Sequence, residues 1–368
     1  MNKKKTGISV CMIVKNEESI LNKCLESING IYDELIILDT GSNDNTINIA
    51  KKFTDSIYKS KWQNDFSWAR NKVQEYANFN YTLSWDADFI LKSKNKYSLR
   101  KYLLNNLNKF DIFLFMWNAE IVNGIITKKA FRPFLYKSEL FIWKYPIHNT
   151  LTLKSNNIIL KEKYLPKVQV DHLKDPIKKS NRYIQTEKML YDYLCKNPND
   201  IRMLIFYQST LVFQKKHKES ILIFNKIFDH KNFITLEEDN KLIIWEQYLF
   251  TLLKLNDFNQ FKKSLYKLTK KFNNNRILLF KADYLFLNKE YQEALEIYEY
   301  CIQNPIENSS EVGMIDIERH YIHPVVMKTK ILDLLNEKNK AFNTIKSIIE
   351  KTYREDIKAY YNDLKSRL

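Results

Sequence analysis

The sequence predicts an α/β domain at residues 1–178, followed by an all-α domain of helical repeats at residues 179–368. In the first part, short apolar runs alternate with stretches in which apolar residues recur every three or four positions. This is the pattern of β-α-β units and a mostly parallel sheet. In the second part, a helical pattern recurs at a spacing of roughly 33 to 37 residues, near the period of stacked helix pairs.

The composition is that of a globular protein with more than one core. Of the 368 residues, 45% are hydrophobic and 14% are aromatic, and chains of this length usually divide into domains. No apolar run reaches the ~18 residues of a membrane-spanning helix, so no transmembrane segment is expected. The basic start, Met1–Lys5, runs into a strand-like segment and lacks the small-residue cleavage site of a signal peptide.

The cysteines indicate a reducing compartment. They are widely spaced and form no C-x-x-C pair, so we expect reduced, mostly buried thiols in a cytoplasmic protein and no catalytic cysteine. The four are Cys11, Cys24, Cys195 and Cys301.

The formal net charge of +16 raises the question of an anionic partner. A nucleic acid or an acidic or phosphorylated ligand would fit that charge. However, the lysines are scattered along the chain, and no compact block with interleaved aromatic residues stands out. We therefore interpret the charge as solvated helix faces and expect no nucleic-acid partner.

Two β-α units open the chain. The strand candidate Ile8–Val14 is followed by Lys15–Glu18 and a helical pattern that begins at Ile20. The strand candidate Glu34–Leu38 ends at Asp39, and the turn- and cap-rich loop behind it leads into another helical pattern.

A third strand candidate, Tyr81–Ser84, ends in Trp85-Asp86-Ala87-Asp88. Ligands of open parallel sheets bind at the carboxyl ends of the strands, so the three polar strand ends predict one site. Two carboxylates at alternate positions suit Mg²⁺ or Mn²⁺ held beside substrate phosphates. The chain lacks both G-x-G-x-x-G and the P-loop motif, which counts against a dinucleotide-binding domain and a P-loop enzyme.

Four motifs follow one another along the chain: Ile8–Glu18, Leu38–Thr46, Asp65–Asn71 and Trp85–Asp88. In this order they resemble the motifs of family 2 glycosyltransferases with a GT-A fold, which is a nucleotide-sugar-binding, Rossmann-like mixed sheet. The resemblance covers residues 7 to 175. Asp-Phe-Ser-x-Ala-Arg-Asn, together with the tetratricopeptide-like repeats, is most similar to the sublancin-type (glycocin) S-glycosyltransferases. Those enzymes transfer sugar from a nucleotide sugar to cysteine, and sometimes serine, of a bacteriocin peptide.

The resemblance implies roles for individual residues. Asp86 and Asp88 would hold the metal against the diphosphate, with His172 as a third ligand, and Asp88 and His148 are the catalytic candidates. Glu17 and Asp44 also have a structural interpretation, as residues that cap helices. The implied nucleotide-sugar contacts are Val14, Asn16, Glu17, Asp39, Ser42, Asp65, Arg70, Asn71 and Asp86.

The nucleophile side of the reaction is less well defined. Relatives commonly have His-Glu where this chain has His148-Asn149, and an asparagine cannot accept a proton. A thiol acceptor depends less on a general base, since a few per cent of free cysteine side chains are already thiolate near neutral pH. Glu120, or another carboxylate of the middle strands, remains an open alternative as base.

The resemblance thus implies an inverting, metal-dependent transfer of a hexose from a UDP-sugar to a cysteine or serine of a bacteriocin-type peptide. Two alternatives stay open: a cell-surface polysaccharide glycosyltransferase, and a peptide-binding scaffold whose sugar site is vestigial. The helical repeats are expected to bind the acceptor peptide or to form a homodimer, although they are also compatible with a lid that only stabilises the first domain.

Overall fold

The computed structural model describes residues 4–155, 157–173, 176–306 and 315–368, with side chains in the helix after residue 175 described from residue 183 onward. The chain divides into two compact units. The first comprises residues 1–120 and 130–189, and the second comprises residues 121–129 and 190–368. Residues 1–3 of the basic start lie outside the described residues.

A mixed sheet with the strand order β3-β2-β1-β4-β7-β6-β10-β5 forms the core of the first unit. Strand β1 is parallel to β2 and β4, whereas β4 is antiparallel to β7 and β10 is antiparallel to β5. Strands β8 and β9 form a separate ribbon, and β11 pairs with the first part of β7. The strands are β1 (Lys5–Val14), β2 (Glu34–Asp39), β3 (Ile57–Lys59), β4 (Phe79–Asp86), β5 (Phe89–Lys92), β6 (Ile112–Val122), β7 (Ile125–Lys137), β8 (Phe141–Lys144), β9 (Thr150–Leu153), β10 (Glu162–His172) and β11 (Ile315–Asp316).

Helices connect the strands of the first unit and make up most of the second. The boundary predicted between residues 178 and 179 falls inside α5. Short 3-10 turns lie at Leu107–Lys109, Lys231–Phe233 and Ile349–Lys351, and a π-helical turn lies at Glu318–Ile322. The α-helices are α1 (Leu21–Ile28), α2 (Thr46–Ala50), α3 (Phe66–Glu75), α4 (Lys96–Asn106), α5 (Pro176–Lys196), α6 (Ile201–Phe213), α7 (His217–Phe228), α8 (Glu238–Lys254), α9 (Phe258–Lys271), α10 (Asn275–Leu287), α11 (Tyr291–Gln303), α12 (His323–Leu334), α13 (Lys338–Lys346) and α14 (Glu355–Ser366).

The register of the three central strands brings their carboxyl ends to one edge. Val14 lies beside Asp39 across β1 and β2, and Ile13 lies beside Asp86 across β1 and β4. These strands are nearly continuous apolar runs because helices cover both faces of a parallel sheet, and Val10, Met12 and Trp85 are fully buried. The predicted convergence of the strand ends is confirmed.

The second unit is a series of antiparallel helix pairs, which confirms the predicted class of all-α repeat. The pairs are α6–α7, α8–α9, α10–α11 and α12–α13. Each pair is joined by a turn with one left-handed residue, followed by an amide that donates back to the first helix, as in a Schellman motif. The left-handed residues are Lys215, Asn256, Lys289 and Asn336, and the amides are those of Lys216, Asp257, Glu290 and Glu337.

Within the described ranges, no helix is both long and apolar enough to cross a membrane. Three of the four cysteines are buried, as the sequence predicts, and Cys195 is exposed. Burial raises the pKa of the Cys11 thiol to about 12, so this thiol is not reactive at neutral pH.

Candidate active site

Two loops at the carboxyl ends of β1 and β2 are held together by hydrogen bonds. The amide of Asn16 donates to Oγ of Ser42 at 3.0 Å, and the amide of Asn43 donates to Oδ1 of Asn16 at 2.8 Å. The amide of Glu17 donates to Oγ1 of Thr46 at 2.7 Å. Asn16 has a φ of 55°, which asparagine tolerates better than most residues. The two predicted nucleotide-binding loops therefore form one surface.

The Asp39 carboxylate organises the second of these loops. Its oxygens accept from the amide of Ser42 at 3.1 Å and from that of Gly41 at 3.4 Å. Gly41 has a φ of 109°, a conformation that favours glycine. Asp39 is buried, so its charge is compensated by the backbone of its own loop, and its predicted contact with a uridine stays a prediction.

Asp44 has the capping role that the sequence suggested. Its carboxylate accepts from the amide of Thr46 at 3.0 Å and from that of Glu18 at 3.2 Å. Burial would raise the pKa of Asp44, but these hydrogen bonds outweigh it and hold the pKa below the usual range. Asp44, which precedes the N-cap residue Asn45, thus satisfies the first amide of α2 and ties this helix to the loop after β1.

Asp86 lies between two arginines at the end of β4. Its Oδ1 is 2.5 Å from the Arg70 guanidinium, and its Oδ2 is 3.4 Å from that of Arg132. Arg70 also donates to Oγ of Ser84 at 2.9 Å. Burial alone would raise the pKa of Asp86, but the two guanidinium groups outweigh it and hold the pKa below the usual range. Asp86 therefore stays ionised at neutral pH.

Aromatic rings support both arginines. The Arg70 guanidinium lies 4.9 Å from the Trp143 ring centroid, and the side chain is only 8% exposed. The Arg132 guanidinium lies 4.9 Å from Phe89 and 5.1 Å from Trp117. Cations over aromatic faces keep part of their stabilisation when they lose water. The two cations are thus fixed in a partly dry environment, where they attract anions more strongly than in water.

Asp88 is linked to the end of β10. Its Oδ2 is 3.0 Å from Nε2 of His172, which the antiparallel pairing of β5 and β10 places beside Phe89. Nδ1 of His172 is buried and lacks a hydrogen-bond partner among the described residues. The structure therefore brings Asp88 and His172 together, and their role as metal ligands stays a prediction.

The donor set at Asp88 and His172 fits a hard divalent cation in part. One carboxylate and one imidazole are an incomplete set, but Mg²⁺ is usually held by one or two carboxylates together with substrate phosphates. Asp86 is occupied by arginines instead, and no cluster of three His, Cys, Asp or Glu side chains that could hold a metal occurs in the described ranges. The three-ligand site remains a prediction.

Asp65 and Asn71 hold local structure in place. Asp65 caps α3 by accepting from the amide of Trp68 at 2.9 Å. The amide group of Asn71 donates to the Trp143 carbonyl oxygen at 2.9 Å and accepts from the Trp143 amide at 3.0 Å. Asp65 thus fixes the start of α3, and Asn71 connects α3 to β8. Their predicted role in lining a nucleotide-sugar cleft stays a prediction.

The loop around His148 packs against the start of α3. The amide of Phe66 donates to the Pro146 carbonyl oxygen at 2.9 Å, and the Ser67 hydroxyl donates to the Tyr145 carbonyl oxygen. Tyr145 and His148 have φ values of 74° and 47°, conformations that non-glycine residues seldom adopt. His148 is exposed, so its side chain is accessible to an acceptor. Its catalytic role stays a prediction.

Sequence reasoning missed Arg132, Ser84 and Trp143. Arg132 received no role, because nothing in the spacing shows that antiparallel β7 turns it toward Asp86. Ser84 lies two residues before Asp86 on β4, hence on the same face. That alternation was the one available signal, and it was not used.

Comparisons with known proteins give one family match and partial sequence relatives. Residues 9–150 match the family model described as "Glycosyl transferase family 2". The "SPbeta prophage-derived glycosyltransferase SunS" of Bacillus subtilis (strain 168) is 42% identical over 96 residues, 26% of this chain and 23% of that protein. A TPR repeat-containing protein of Synechococcus elongatus is 43% identical over 81 residues, 22% of this chain and 20% of that protein. The aligned segments thus span about a quarter or less of either relative.

Among solved structures, S. aureus TarS 1-349 in complex with UDP-GlcNAc aligns at 13% identity with a TM-score of 0.41. That alignment covers 72% of this chain and 91% of that chain. The family match includes the strand ends, Arg132 and His148, whereas His172 lies beyond it.

Proposed function

We propose that this chain, whose N-terminal domain belongs to glycosyl transferase family 2, transfers a hexose from a UDP-sugar to a cysteine or serine side chain of a peptide. The observation that carries the proposal is the convergence at one sheet edge of the Asp39 loop with Asp86, Asp88 and the two arginines. A nucleoside diphosphate is anionic, and this edge presents one buried and one half-buried guanidinium beside carboxylates suited to a divalent cation.

Each part of the edge has a proposed role toward the donor. The loops that contain Asn16 and Asp39 bind the nucleoside. Arg70 and Arg132 orient Asp86 and present positive charge where the diphosphate departs. Asp88 and His172 would hold Mg²⁺ or Mn²⁺ together with diphosphate oxygens. A bound divalent cation supplies charge stabilisation for the leaving group.

The second part of the proposal concerns the molecule that receives the sugar. The peptide acceptor follows from the resemblance to the glycocin S-glycosyltransferases and from the helical repeats, which commonly bind polypeptides. We favour a thiol because His148-Asn149 offers no carboxylate base, and a thiol is partly ionised without one. Attack from the face opposite the nucleotide makes the proposed reaction inverting.

Donor turnover is the first test. The full chain is incubated with a panel of UDP-sugars and Mn²⁺ or Mg²⁺, and the release of UDP is measured. We expect Asp88→Asn to slow UDP release by about 10²-fold or more, the usual loss when charge stabilisation of a leaving group is removed. Asp192→Asn, an exposed carboxylate in α5, is the matched control and should release UDP at the wild-type rate. If no donor is turned over, or if Asp88→Asn retains full activity, the proposal fails.

Acceptor identity requires a separate experiment. Peptides that differ only by Cys→Ser are offered with the preferred donor, and mass spectrometry detects an added hexose. We expect faster transfer to the cysteine peptide. A polysaccharide acceptor is offered in parallel. If it receives the hexose and neither peptide does, the cell-surface alternative replaces the peptide proposal.

A further inference from the structure

Helix α9 of the second unit has a continuous basic face. Its fourteen residues, Phe258–Lys271, include five lysines and no acidic residue. At 100° per residue, four of the five lysines fall on the half of the helix opposite its buried residues, and Lys271 lies at the edge of that half, one step from the row of Ser264. Tyr266, 61% exposed, lies among them. The buried residues are Phe261, Ser264, Leu265 and Leu268. We call the following side chains the α9 lysine face: Lys262, Lys263, Tyr266, Lys267, Lys270 and Lys271.

The lysines of this face lack ion-pair partners. In the part of the chain that the structure describes, none of the five lies within ion-pair distance of a carboxylate. Other lysines of the same unit are paired, for example Lys328 with Glu299 at 2.8 Å and Lys358 with Glu355 at 2.9 Å. The contact made within the face is a cation–π contact, in which the Lys270 ammonium lies 4.2 Å from the Tyr266 ring centroid. Five positive charges are therefore available to an external anion.

Helix stability does not explain this arrangement. Lys263, Lys267 and Lys271 are spaced i, i+4, so like charges face each other across two successive turns, which destabilises a helix. A lysine near the carboxyl end of a helix interacts favourably with the helix dipole, but this stabilisation is confined to the last turn. Lys262 and Lys263 lie beyond the first turn, so the helix dipole does not account for them either. A binding role accounts for charges that the helix itself does not need.

We propose that the α9 lysine face binds an acidic segment of a polypeptide. Carboxylates at alternate positions of an extended segment recur about every 6.6 Å. Lysines one helical turn apart recur at a similar spacing, about 6 Å. Charge and spacing are therefore complementary. The proposal goes beyond the sugar-transfer reaction and does not depend on it.

Two other anionic partners fit the face less well. A membrane-surface helix inserts an apolar side into the lipid, but the apolar side of α9 is buried within its own unit. Nucleic-acid binding favours arginine, whose planar fork matches phosphate, and aromatic platforms. The face contains no arginine and one aromatic residue, Tyr266.

The test measures binding to the full chain by fluorescence anisotropy, with a fluorescein-labelled peptide of alternating Glu and Ala as the probe. We expect the wild type to bind it and to lose about tenfold in affinity as NaCl rises from roughly 50 to 500 mM, because salt screens exposed charges. A variant with all five α9 lysines changed to Gln should bind at least about tenfold more weakly. A control variant removes the same charge from exposed, scattered lysines: Lys101, Lys226, Lys346, Lys351 and Lys365.

The control variant should keep wild-type affinity. Equal losses in both variants would mean that net charge alone attracts the probe, and this would overturn the proposal. An α9 variant that binds like the wild type would overturn it as well. Phosphatidylserine vesicles and a DNA duplex are tested in parallel, and tighter binding of either, lost in the α9 variant, would assign the face to that partner instead.

Folding and catalysis are checked on the same preparations. Circular dichroism reports whether the five-fold variant is folded, and Lys267→Glu alone serves as a second, milder variant that should also weaken binding of the probe. UDP release from the preferred donor should be unchanged in both variants. A failure of the sugar-transfer proposal is therefore distinguishable from a failure of this one.

Discussion

The strand-edge site of the first unit and the α9 lysine face of the second unit use charge in opposite ways. At the strand edge, Arg70 and Asp86 are mutually paired and largely shielded from water. On α9, the lysines are exposed and lack carboxylate partners among the described residues. Removing one member of a buried ion pair lowers the free energy of unfolding strongly, whereas removing an exposed single charge changes it little. The contrast teaches that the stability of the fold depends on the charges at the strand edge, whereas it does not depend on the charges of α9.

The largest expected effect tests the first half of this contrast. Arg70→Ala removes the closest partner of Asp86 and leaves a partly buried carboxylate without its main compensation. We expect the free energy of unfolding to fall by about 3 kcal/mol, as measured by urea denaturation followed by circular dichroism. Arg70→Lys keeps the charge but not the fork that reaches both Ser84 and Asp86, so it should lose less. An unchanged midpoint for Arg70→Ala would show that the strand edge is as tolerant as an exposed surface.

Asn71 tests whether neutral hydrogen bonds near the strand-edge site also contribute to the free energy of unfolding. Asn71→Ala breaks two hydrogen bonds to the backbone of Trp143, the residue on which Arg70 stacks. We expect a loss of about 2 kcal/mol, the usual cost of leaving buried groups unpaired. The control is Asn48→Ala, whose amide is exposed, and there the change should stay below about 0.5 kcal/mol. Equal effects in the two variants would mean that Asn71 has no special part in supporting β8.

His320 shows that ionisable groups within one unit differ according to their burial. It belongs to the same unit as α9, but it is buried beside the Arg276 guanidinium, 3.3 Å away. Glu246 is 3.4 Å from the same imidazole nitrogen, yet Arg276 binds its other oxygen at 2.9 Å. Burial and this cation therefore lower the pKa of His320 to about 3.

The depressed pKa predicts an acid-sensitive fold. The unfolded chain takes up a proton at the ordinary histidine pKa of about 6.5, whereas folded His320 resists protonation. Stability should thus fall as the pH decreases from about 6.5 toward 3, by at most about 1.4 kcal/mol per pH unit. Urea denaturation at pH 7, 6 and 5 should show a shallower slope for His320→Gln than for the wild type. Parallel slopes would mean that His320 is protonated as easily in the folded chain as in the unfolded one.

Much of the strand edge could be predicted from the sequence because its information is local. Apolar runs fix β1, β2 and β4, and parallel pairing of such runs brings their polar ends together. The capping role of Asp44 likewise follows from residues a few positions away. Arg132 could not be predicted, because its approach to Asp86 depends on the pairing of β4 with β7, which no local pattern determines.

The α9 lysine face was missed for a different reason. In the linear sequence, its lysines are interrupted by apolar residues and look like the scattered lysines found elsewhere in the chain. The helical period gathers them on one side. Whether they are paired depends on neighbouring elements of the repeat, and the α9 sequence does not contain that information. Composition alone therefore pointed to an ordinary solvated face.

The smallest expected effect separates a binding surface from a merely solvated one. Lys267→Glu converts two like-charge i, i+4 contacts, with Lys263 and Lys271, into opposite-charge contacts. We expect the free energy of unfolding to rise by about 0.5 kcal/mol, measured by urea denaturation at low salt. Lys358→Glu, which destroys the pair with Glu355, is the matched control and should lower stability by a similar amount. If Lys267→Glu stabilises the chain while weakening its binding to an acidic peptide, the helix has retained a charge at the expense of its own stability. A destabilising Lys267→Glu would instead show that the lysines stabilise the helix. The charges of α9 would then contribute to the fold, as those of the strand edge do.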